Sequence, residues 1–325
     1  MTQRLTIVIP LYNEAAIIDE LVKRVEAARP AIEATGFSIA QLLLVNDGST
    51  DRTSEIITEI ATRISYVEGL ELARNSGQTA ALAAGIDHAQ GDVVVTMDGD
   101  LQHDPADIPQ FLTALNTGYD LVSGARHKRA DQFFTRRIPS WCANFLMRKI
   151  SGLALRDFGS TFKAYRLALV QRLELFGDLH RFMPVLAARE GARITEIDIP
   201  YHARFKGVSN YGLQRIFGVF EDLIFLLFFV RYLTRPIRAF GVLFLTFFGA
   251  GFFIAMVLMA LWLIGVIPAV RDHGAMLLLS VFLMIIGIQF LAVGILAELL
   301  ARIYHHTRDA KIYVVRRTLR APVGR

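Results

Sequence analysis

Residues 91–105 read GDVVVTMDGDLQHDP: an apolar run stops abruptly at Asp98, a second aspartate follows at Asp100, and Gln102, His103 and Asp104 come next. A run that short, rich in β-branched residues and bounded by turn signals, reads as a strand covered on both faces. Such strands belong to parallel sheets, where ligands bind beyond the carboxyl ends. Aspartates at i and i+2 share one face of a continuous strand. Gly99 is read as the residue that lets the backbone turn so that both approach one cation. Hard divalent ions take oxygen ligands, and Mg2+ or Mn2+ commonly join carboxylates to substrate phosphates. The plainer alternative is a polar turn in which Asp98 caps backbone amides, and the other strand ends have to decide between them.

Toward the N-terminus the same arrangement recurs twice, as LTIVIP before YNEA and as IAQLLLVNDGS. Between these, EAAIIDELVKRVEAA puts Ile17, Ile18, Leu21, Val22 and Val25 on one helical stripe, and TSEIITEIATRI does so with Ile56, Ile57 and Ile60. GLELARNSGQTAALAAGIDHA supplies a strand, a loop and an Ala-rich helix, PADIPQFLTAL a helix with Pro105 near its start, and YDLVSGAR a further strand. Strands alternating with helices specify an α/β fold with a mostly parallel sheet. The clusters YNE, NDGS and DGD all fall at strand carboxyl ends, and that coincidence favours a metal site at Asp98 and Asp100. Asp47 either accepts from a ribose hydroxyl or base N–H, or makes an Asx turn with Gly48. Asn13 and Glu14 either line the same pocket or cap the next helix. Arg74 and Asn75 precede a helix whose N-terminus either faces phosphates or is capped by Ser76. His180 and His202 stand too isolated for metal ligation and read as packing or hydrogen-bonding residues. Neither G-x-G-x-x-G after the first strand nor G-x-x-x-x-G-K-[ST] occurs, which argues against dinucleotide and P-loop folds.

The chain has 325 residues, 53% of them apolar, which suits one large domain or two parts. The apolar excess is concentrated. Neither Ala239–Val270 nor Gly274–Ala297 contains Lys, Arg, Asp or Glu, and both exceed the roughly 20 residues a helix needs to cross hydrocarbon. Two such runs in succession read as a membrane hairpin rather than as core helices. The net charge is +5, and basic residues flank the hairpin: Arg231, Arg235 and Arg238 before it, then Arg302, Arg308, Lys311, Arg316, Arg317, Arg320 and Arg325 after it. The linker PAVRDHG holds one Arg and one Asp. This positive-inside pattern puts both chain ends in the cytoplasm, and lipid head groups account for the basic tail without nucleic acid. The opening MTQRLTIVIP reads as a first strand, not as a cleavable signal. The uncharged run between Asp222 and Arg231, with its neighbouring phenylalanines, is too short to span and reads as an interfacial helix. A single cysteine, Cys142, allows no intramolecular disulfide or thiolate cluster.

Taken together, IVIPLYNE, LLLVNDGSTDRT, NSGQTAALAAGI and GDVVVTMDGDLQHDP resemble the family 2 glycosyltransferases of GT-A type. They are closest in pattern to the polyprenyl-phosphate glycosyltransferases, the group of dolichyl-phosphate mannose synthase and its bacterial relatives. The likeness continues through VSGARHKR, RDFGSTFKAYR, GDLHRFMPVLAAREGARITEIDIPYHARFKGVSNYG and RPIRAFG into the two apolar runs, nearly the whole chain. The resemblance implies that Pro10, Tyr12, Glu14 and Asp47, with Asn13 beside them, form the pocket for a nucleotide base and ribose. It implies Asp98 and Asp100 as the Mg2+ or Mn2+ pair under the diphosphate, with Gln102 beside them. Arg126, Arg136, Arg137 and Ser140 then form the cluster for the lipid phosphate, Asp157 stands on the acceptor side, and Arg204 and Lys206 lie in a basic loop over the donor phosphates. A solvated basic face is the plainer reading of the arginines, but the planar fork of Arg suits a phosphate. Many relatives carry TSGFR after the aspartate, whereas this chain has GSTFKAYR. It resembles the branch that modifies lipid A or other envelope glycans, and the sugar stays open.

The expectation is a GT-A domain over residues 1–212, an amphipathic juxtamembrane segment over 213–238, a transmembrane hairpin over 239–303 with helices near 239–267 and 274–300, and a basic cytoplasmic tail over 304–325. The implied activity is inverting transfer of a sugar from a nucleotide sugar, UDP-linked by family habit, to polyprenyl (undecaprenyl) phosphate. The implied setting is the bacterial inner membrane, with the catalytic domain in the cytoplasm, membrane lipids around the hairpin and a homo-oligomer, a tetramer by resemblance. A processive polysaccharide synthase would bring more membrane helices and a Q-x-x-R-W segment, which this chain lacks. A non-catalytic scaffold has no need of polar clusters at strand ends.

Overall fold

A computed structural model describes residues 2–127, 147–148, 151–173, 179–200, 236–267, 273–306 and 311–320. The chain divides into two compact units, Met1–Phe220 with Lys311–Arg325, and Glu221–Ala310.

The first unit is organised on one eight-stranded sheet. Its strands are β1 (Gln3–Leu11), β2 (Phe37–Asn46), β3 (Val67–Leu72), β4 (Val93–Thr96), β5 (Leu121–His127), β6 (Lys163–Arg166), β7 (Ile194–Pro200) and β8 (Val315–Leu319), in the spatial order β7-β5-β6-β4-β1-β2-β3-β8. β6 runs antiparallel to β4 and β5, and β8 antiparallel to β3, while the other pairs are parallel. This is the mostly parallel α/β sheet expected from the sequence. Every residue of β4 is buried, so both faces of the central strands are covered, which is why they are apolar without alternation. Helix α1 (Ile18–Ala34) buries Ile18, Leu21, Val22, Val25, Ala28 and Ile32. At about 1.5–3 kcal/mol per large apolar side chain, that stripe outweighs the ~3 kcal/mol cost of a proline in a helix interior, here Pro30. Helices α2 (Thr53–Arg63), α3 (Gln78–Asp87) and α4 (Ile108–Asn116) follow β2, β3 and β4 in turn. A 3-10 turn at Pro105–Asp107 leads into α4, and its N-cap Asp104 accepts from the Ala106 amide at 2.9 Å. Among the described residues between β6 and β7 lie two short helices, α5 (Leu167–Val170) and α6 (Met183–Arg189).

The last strand departs from expectation. Within the stretch read as a basic tail, Val315–Leu319 pairs antiparallel with the edge of β3. Leu319 joins the main apolar core. Three of the cationic side chains that suggest a tail are ion-pair partners: Arg317 and Arg316 meet Glu71 at 3.0 and 3.5 Å, and Arg320 meets Glu68 at 2.9 Å. Tyr313 donates to Asp87 at 2.7 Å just before the strand.

The second unit contains α7 (Pro236–Leu263) and α8 (Gly274–His306). Their stretches Phe240–Leu263 and Gly274–Leu300 have mean hydropathies of 2.5 and 2.6, long and apolar enough to cross a membrane. Phe247 stacks on Phe290 with centroids 5.5 Å apart, while Gly251 lies against Ser280 farther along α7, so the helices run antiparallel. Large apolar side chains such as Phe253 (68%) and Leu278 (72%) face outward, the reverse of a soluble core helix. The expected juxtamembrane segment lies outside the described residues except for Pro236–Arg238, which open α7.

Candidate active site

The carboxyl ends of β1, β2 and β4 lie side by side, with Leu11 opposite Asn46 and Val8 opposite Thr96. The clusters that follow these strands therefore open at one edge of the sheet. After β4, Gly99 is not in a left-handed conformation. A Cβ there would lie 2.4 Å from Leu11 Cδ2, so a larger residue would have to displace the tip of that buried side chain. The tight turn falls instead at Leu101, whose φ is 59°, a left-handed conformation costly for a branched side chain. Asp100 Oδ1 accepts from the Gln102 amide at 3.1 Å, and Asp98 Oδ1 accepts from Gln78 Nε2 at 2.6 Å. Burial raises the Asp98 pKa, against the charges of Arg126 and Lys163 and the Gln78 bond. Among the described residues no group of three or more His, Cys, Asp or Glu side chains gathers. Asp98 and Asp100 thus offer a divalent ion an incomplete, oxygen-only set. That suits Mg2+ or Mn2+, which keep waters and take phosphate oxygens for the remainder.

At the β1 end, Tyr12 is 46% exposed, the one large hydrophobic side chain so exposed among the described residues 2–200. Asn13, with φ 56°, ties the β1 and β2 ends together: its amide donates to Ser49 Oγ at 2.9 Å and its Oδ1 accepts from the Thr50 amide at 2.8 Å. The Glu14 amide donates to Thr53 Oγ1 at 3.1 Å. Neither residue caps α1, whose N-cap is Ile17.

Asp47 does something the sequence did not suggest. The local turn bond belongs to its neighbour Asn46, whose Oδ1 accepts from the Ser49 amide three residues on at 2.9 Å. Asp47 reaches across to the loop before α3, accepting from the Ser76 amide at 2.8 Å and the Gly77 amide at 2.9 Å. Burial raises its pKa and these two amides partly offset that. The loop comes so close that a Cβ on Gly48 would lie 2.4 Å from the Arg74 carbonyl carbon. The N-cap of α3 is Gly77, not Ser76.

On the other side of β4, Arg126 at the end of β5 grips Asp157 with two bonds, Nε to Oδ2 at 2.6 Å and Nη2 to Oδ1 at 2.8 Å. The Gly159 amide also donates to Asp157 Oδ1, at 3.1 Å. The structure therefore joins two residues that the resemblance had assigned separately, and the Arg126 fork is directed at Asp157. Arg136, Arg137, Ser140, Arg204 and Lys206 lie outside the described residues, as does His202.

Sequence reasoning missed Lys163. It is fully buried in β6, between β4 and β5, and its Nζ donates to the Ser160 carbonyl. Burial pushes its pKa down to about 8; the Asp157 and Asp98 carboxylates resist that, whereas Arg126 adds to it. The available signal was a lysine in a strand between two apolar neighbours, Phe162 and Ala164. It becomes telling only once that strand is known to be central. His103 is also buried and is pushed down to about 4, chiefly by burial. His180 hydrogen-bonds Thr79 Oγ1 through Nδ1 at 2.7 Å, as the hydrogen-bonding reading anticipated.

Residues 6–174 match the family model described as Glycosyl transferase family 2. The chain is 41% identical to dodecaprenyl-phosphate galacturonate synthase of Rhizobium johnstonii over 96% of its own length and 92% of the relative's. It is 35% identical to undecaprenyl-phosphate 4-deoxy-4-formamido-L-arabinose transferase of Edwardsiella ictaluri, over 98% and 95%. Among solved structures, glucosyl-3-phosphoglycerate synthase from Mycobacterium tuberculosis in complex with Mn2+, UDP and phosphoglyceric acid superposes with a TM-score of 0.53 at 20% identity, covering 70% of this chain and 78% of that one. That likeness shows the GT-A fold. The strand-end clusters, the fold and relatives matched over almost their full length lead to one assignment: the chain belongs to glycosyl transferase family 2, among its GT-A polyprenyl-phosphate glycosyltransferases.

Proposed function

We propose that this protein transfers a sugar from a UDP-sugar to a polyprenyl phosphate at the cytoplasmic face of a bacterial inner membrane, with inversion at the anomeric carbon. The observation that carries the reading is the meeting of Tyr12, Asp47, Asp98 and Asp100 at the ends of three adjacent parallel strands, in a chain that also has two helices of membrane-spanning length. The substrates named for the relatives, dodecaprenyl and undecaprenyl phosphate, support the acceptor class.

In this reading the exposed Tyr12 ring lies against the base. Asp47 keeps the loop before α3 in place through Ser76 and Gly77, and its remaining lone pairs accept from the base or ribose. Asp98 and Asp100 hold Mg2+ or Mn2+, which when bound supplies positive charge against the diphosphate. Pro10, Asn13, Glu14 and Gln102 line the donor side, and Arg204 and Lys206 cover it. The acceptor needs little base catalysis, because a phosphate monoester, with a second pKa of about 6, is mostly a dianion at neutral pH. Its difficulty is repulsion from the donor, which the buried cations Arg126 and Lys163, with Arg136 and Arg137, offset. Asp157, gripped at both oxygens, orients Arg126 instead of serving as a base. In this reading the GT-A domain of 1–212 is completed by the returning strand β8, with a juxtamembrane segment of 213–238 and a hairpin of 239–303 between them.

The test is incubation of the purified full chain with undecaprenyl phosphate, Mn2+ and a panel of UDP-sugars, with mass analysis of the lipid. One UDP-sugar should yield a mass equal to glycosyl undecaprenyl phosphate. Transfer to a soluble acceptor with none to the lipid would overturn the reading.

A further inference from the structure

We propose that Glu196 is a positioning residue for sugar transfer: it grips the backbone that carries Asp157, and so aims the Asp157–Arg126 pair at the acceptor phosphate. The inference rests on the acceptor-side reading of that pair given above.

Glu196 lies on β7, registered opposite Ser123 of β5, three residues before Arg126 on that strand. Its side chain is only 7% exposed. Oε1 accepts from the Arg156 amide at 2.9 Å and the Asp157 amide at 3.0 Å. Oε2 accepts from the Arg156 amide at 3.0 Å and from Arg156 Nε at 2.9 Å. The Arg156 and Asp157 amides belong to no helix or strand, so their anchorage comes from this carboxylate. Bonds from backbone N–H to an ionised carboxylate are shorter and stronger than neutral ones. The next residue on the same face, Asp198, meets among the described residues only the Arg156 guanidinium, at 2.5 Å. Had the need been only to pair Arg156, Asp198 would serve. What Glu196 adds is a hold on two successive amides, one of them that of Asp157.

The chain of contacts is thus β7 to loop to β5: Glu196 fixes the Asp157 backbone, and Asp157 fixes the Arg126 guanidinium at 2.6 and 2.8 Å. Glu196 itself bonds only the Arg156–Asp157 stretch among the described residues, while the charge of Arg126 is felt at Asp98. Loss of Glu196 therefore acts first on acceptor alignment, and Tyr12 and Asp47 keep their own anchors at Ser49, Thr50, Ser76 and Gly77. A displacement of about 1 Å at a reacting group can cost roughly 100-fold in rate.

The experiment uses the full-length protein and measures two things: the Kd for UDP with Mn2+, and the steady-state dependence of transfer on undecaprenyl phosphate. Glu196→Ala should lower kcat/KM for the lipid by roughly 10- to 100-fold while the UDP Kd moves less than about twofold. Glu196→Gln keeps one acceptor oxygen for the amides and should recover part of the loss, which also guards against a variant that merely folds poorly. Asp198→Ala, which removes an exposed partner of Arg156 alone, should leave lipid kinetics within about twofold. Unchanged lipid kinetics in Glu196→Ala would overturn the proposal. So would an equal loss of UDP affinity, or an effect of Asp198→Ala as large as that of Glu196→Ala. Absence of any lipid product from the wild-type chain would remove the acceptor reading itself, a result separate from a wild-type enzyme that works but ignores Glu196.

Discussion

Arg126 and Asp157 face each other as a two-pronged ion pair, with side chains only 11% and 12% exposed. The geometry matches the planar fork of a guanidinium to the two oxygens of a carboxylate. Removing one partner strands the other charge in a poorly solvated place, at a cost of about 3–5 kcal/mol. Arg126→Ala and Asp157→Ala should therefore each lower the melting temperature clearly, and the double variant should lose less than the sum. A coupling of about 0.5–3 kcal/mol is expected for groups in direct contact. Arg126→Lys keeps the charge but not the fork and should fall between. Thermal unfolding of the four proteins in detergent decides it: strict additivity would mean that the pair is not a unit.

Asp98 and Asp100 make a different prediction, in activity rather than stability. Each is half-buried on a turn whose shape is set by Gly99 against Leu11 and by Leu101. Asp98→Asn and Asp100→Asn preserve the size of the side chains and should leave melting temperatures near wild type. Transfer should fall by at least roughly 100-fold, the scale on which loss of preorganised charge stabilisation acts. Excess chelator should do the same to the wild-type protein, and Mn2+ or Mg2+ should restore it. Full transfer in excess chelator would remove the metal assignment from these residues.

How far the sequence could be read depended on where the information lay. The strand-end clusters were visible because each ends a local apolar run, and the two long uncharged helices because composition alone marks them. Gly99 was legible as special but for the wrong reason, since its neighbour Leu11 is distant in sequence. Lys163, Glu196 and the true partners of Asp47 were out of reach for the same cause. A buried lysine is recognisable only when its strand is known to sit between β4 and β5, and the Asp47 bonds bridge 29 and 30 residues of chain. The strand β8 was hidden by its charges: VRRTL has the look of a solvated tail until Glu71 and Glu68 are placed beside it.

His180 yields a pH dependence. Burial, with repulsion from Arg181 and Lys163, pushes its pKa down from 6.5 to about 3. Between those values the unfolded chain binds a proton that the folded chain refuses. Stability from this source is therefore complete above pH 6.5 and is lost as pH falls toward 3. At about 1.4 kcal/mol per unit, the loss is roughly 2 kcal/mol by pH 5. His103, pushed down to about 4, acts in the same direction. His180→Gln can still bond Thr79 but does not titrate. Melting temperatures at pH 8 and pH 5 should thus fall farther for the wild type than for His180→Gln, and parallel falls would show that the buried imidazole contributes nothing to acid sensitivity.

Tyr12 is the residue on which the donor side turns. Among the described residues 2–200 no other large apolar side chain is as exposed as this aromatic ring, at 46%. It stands at the end of β1, followed at once by Asn13, which is tied to Ser49 and Thr50. The loop is thus held in place while the ring is left open, as a stacking platform for a planar base would require. Stacking of a base on an aromatic side chain is worth about 1–3 kcal/mol, or roughly 5- to 150-fold in affinity. Tyr12→Ala should weaken UDP binding by that factor, with little change in melting temperature because the ring buries little of the core. Tyr12→Phe keeps the π face and should bind UDP within about threefold of wild type. If Phe loses as much as Ala, the hydroxyl carries the contact, and the ring is not a stacking platform. If neither variant changes UDP affinity, the exposed ring serves something other than the nucleotide, and the base must be sought on the Asp47 side of the pocket.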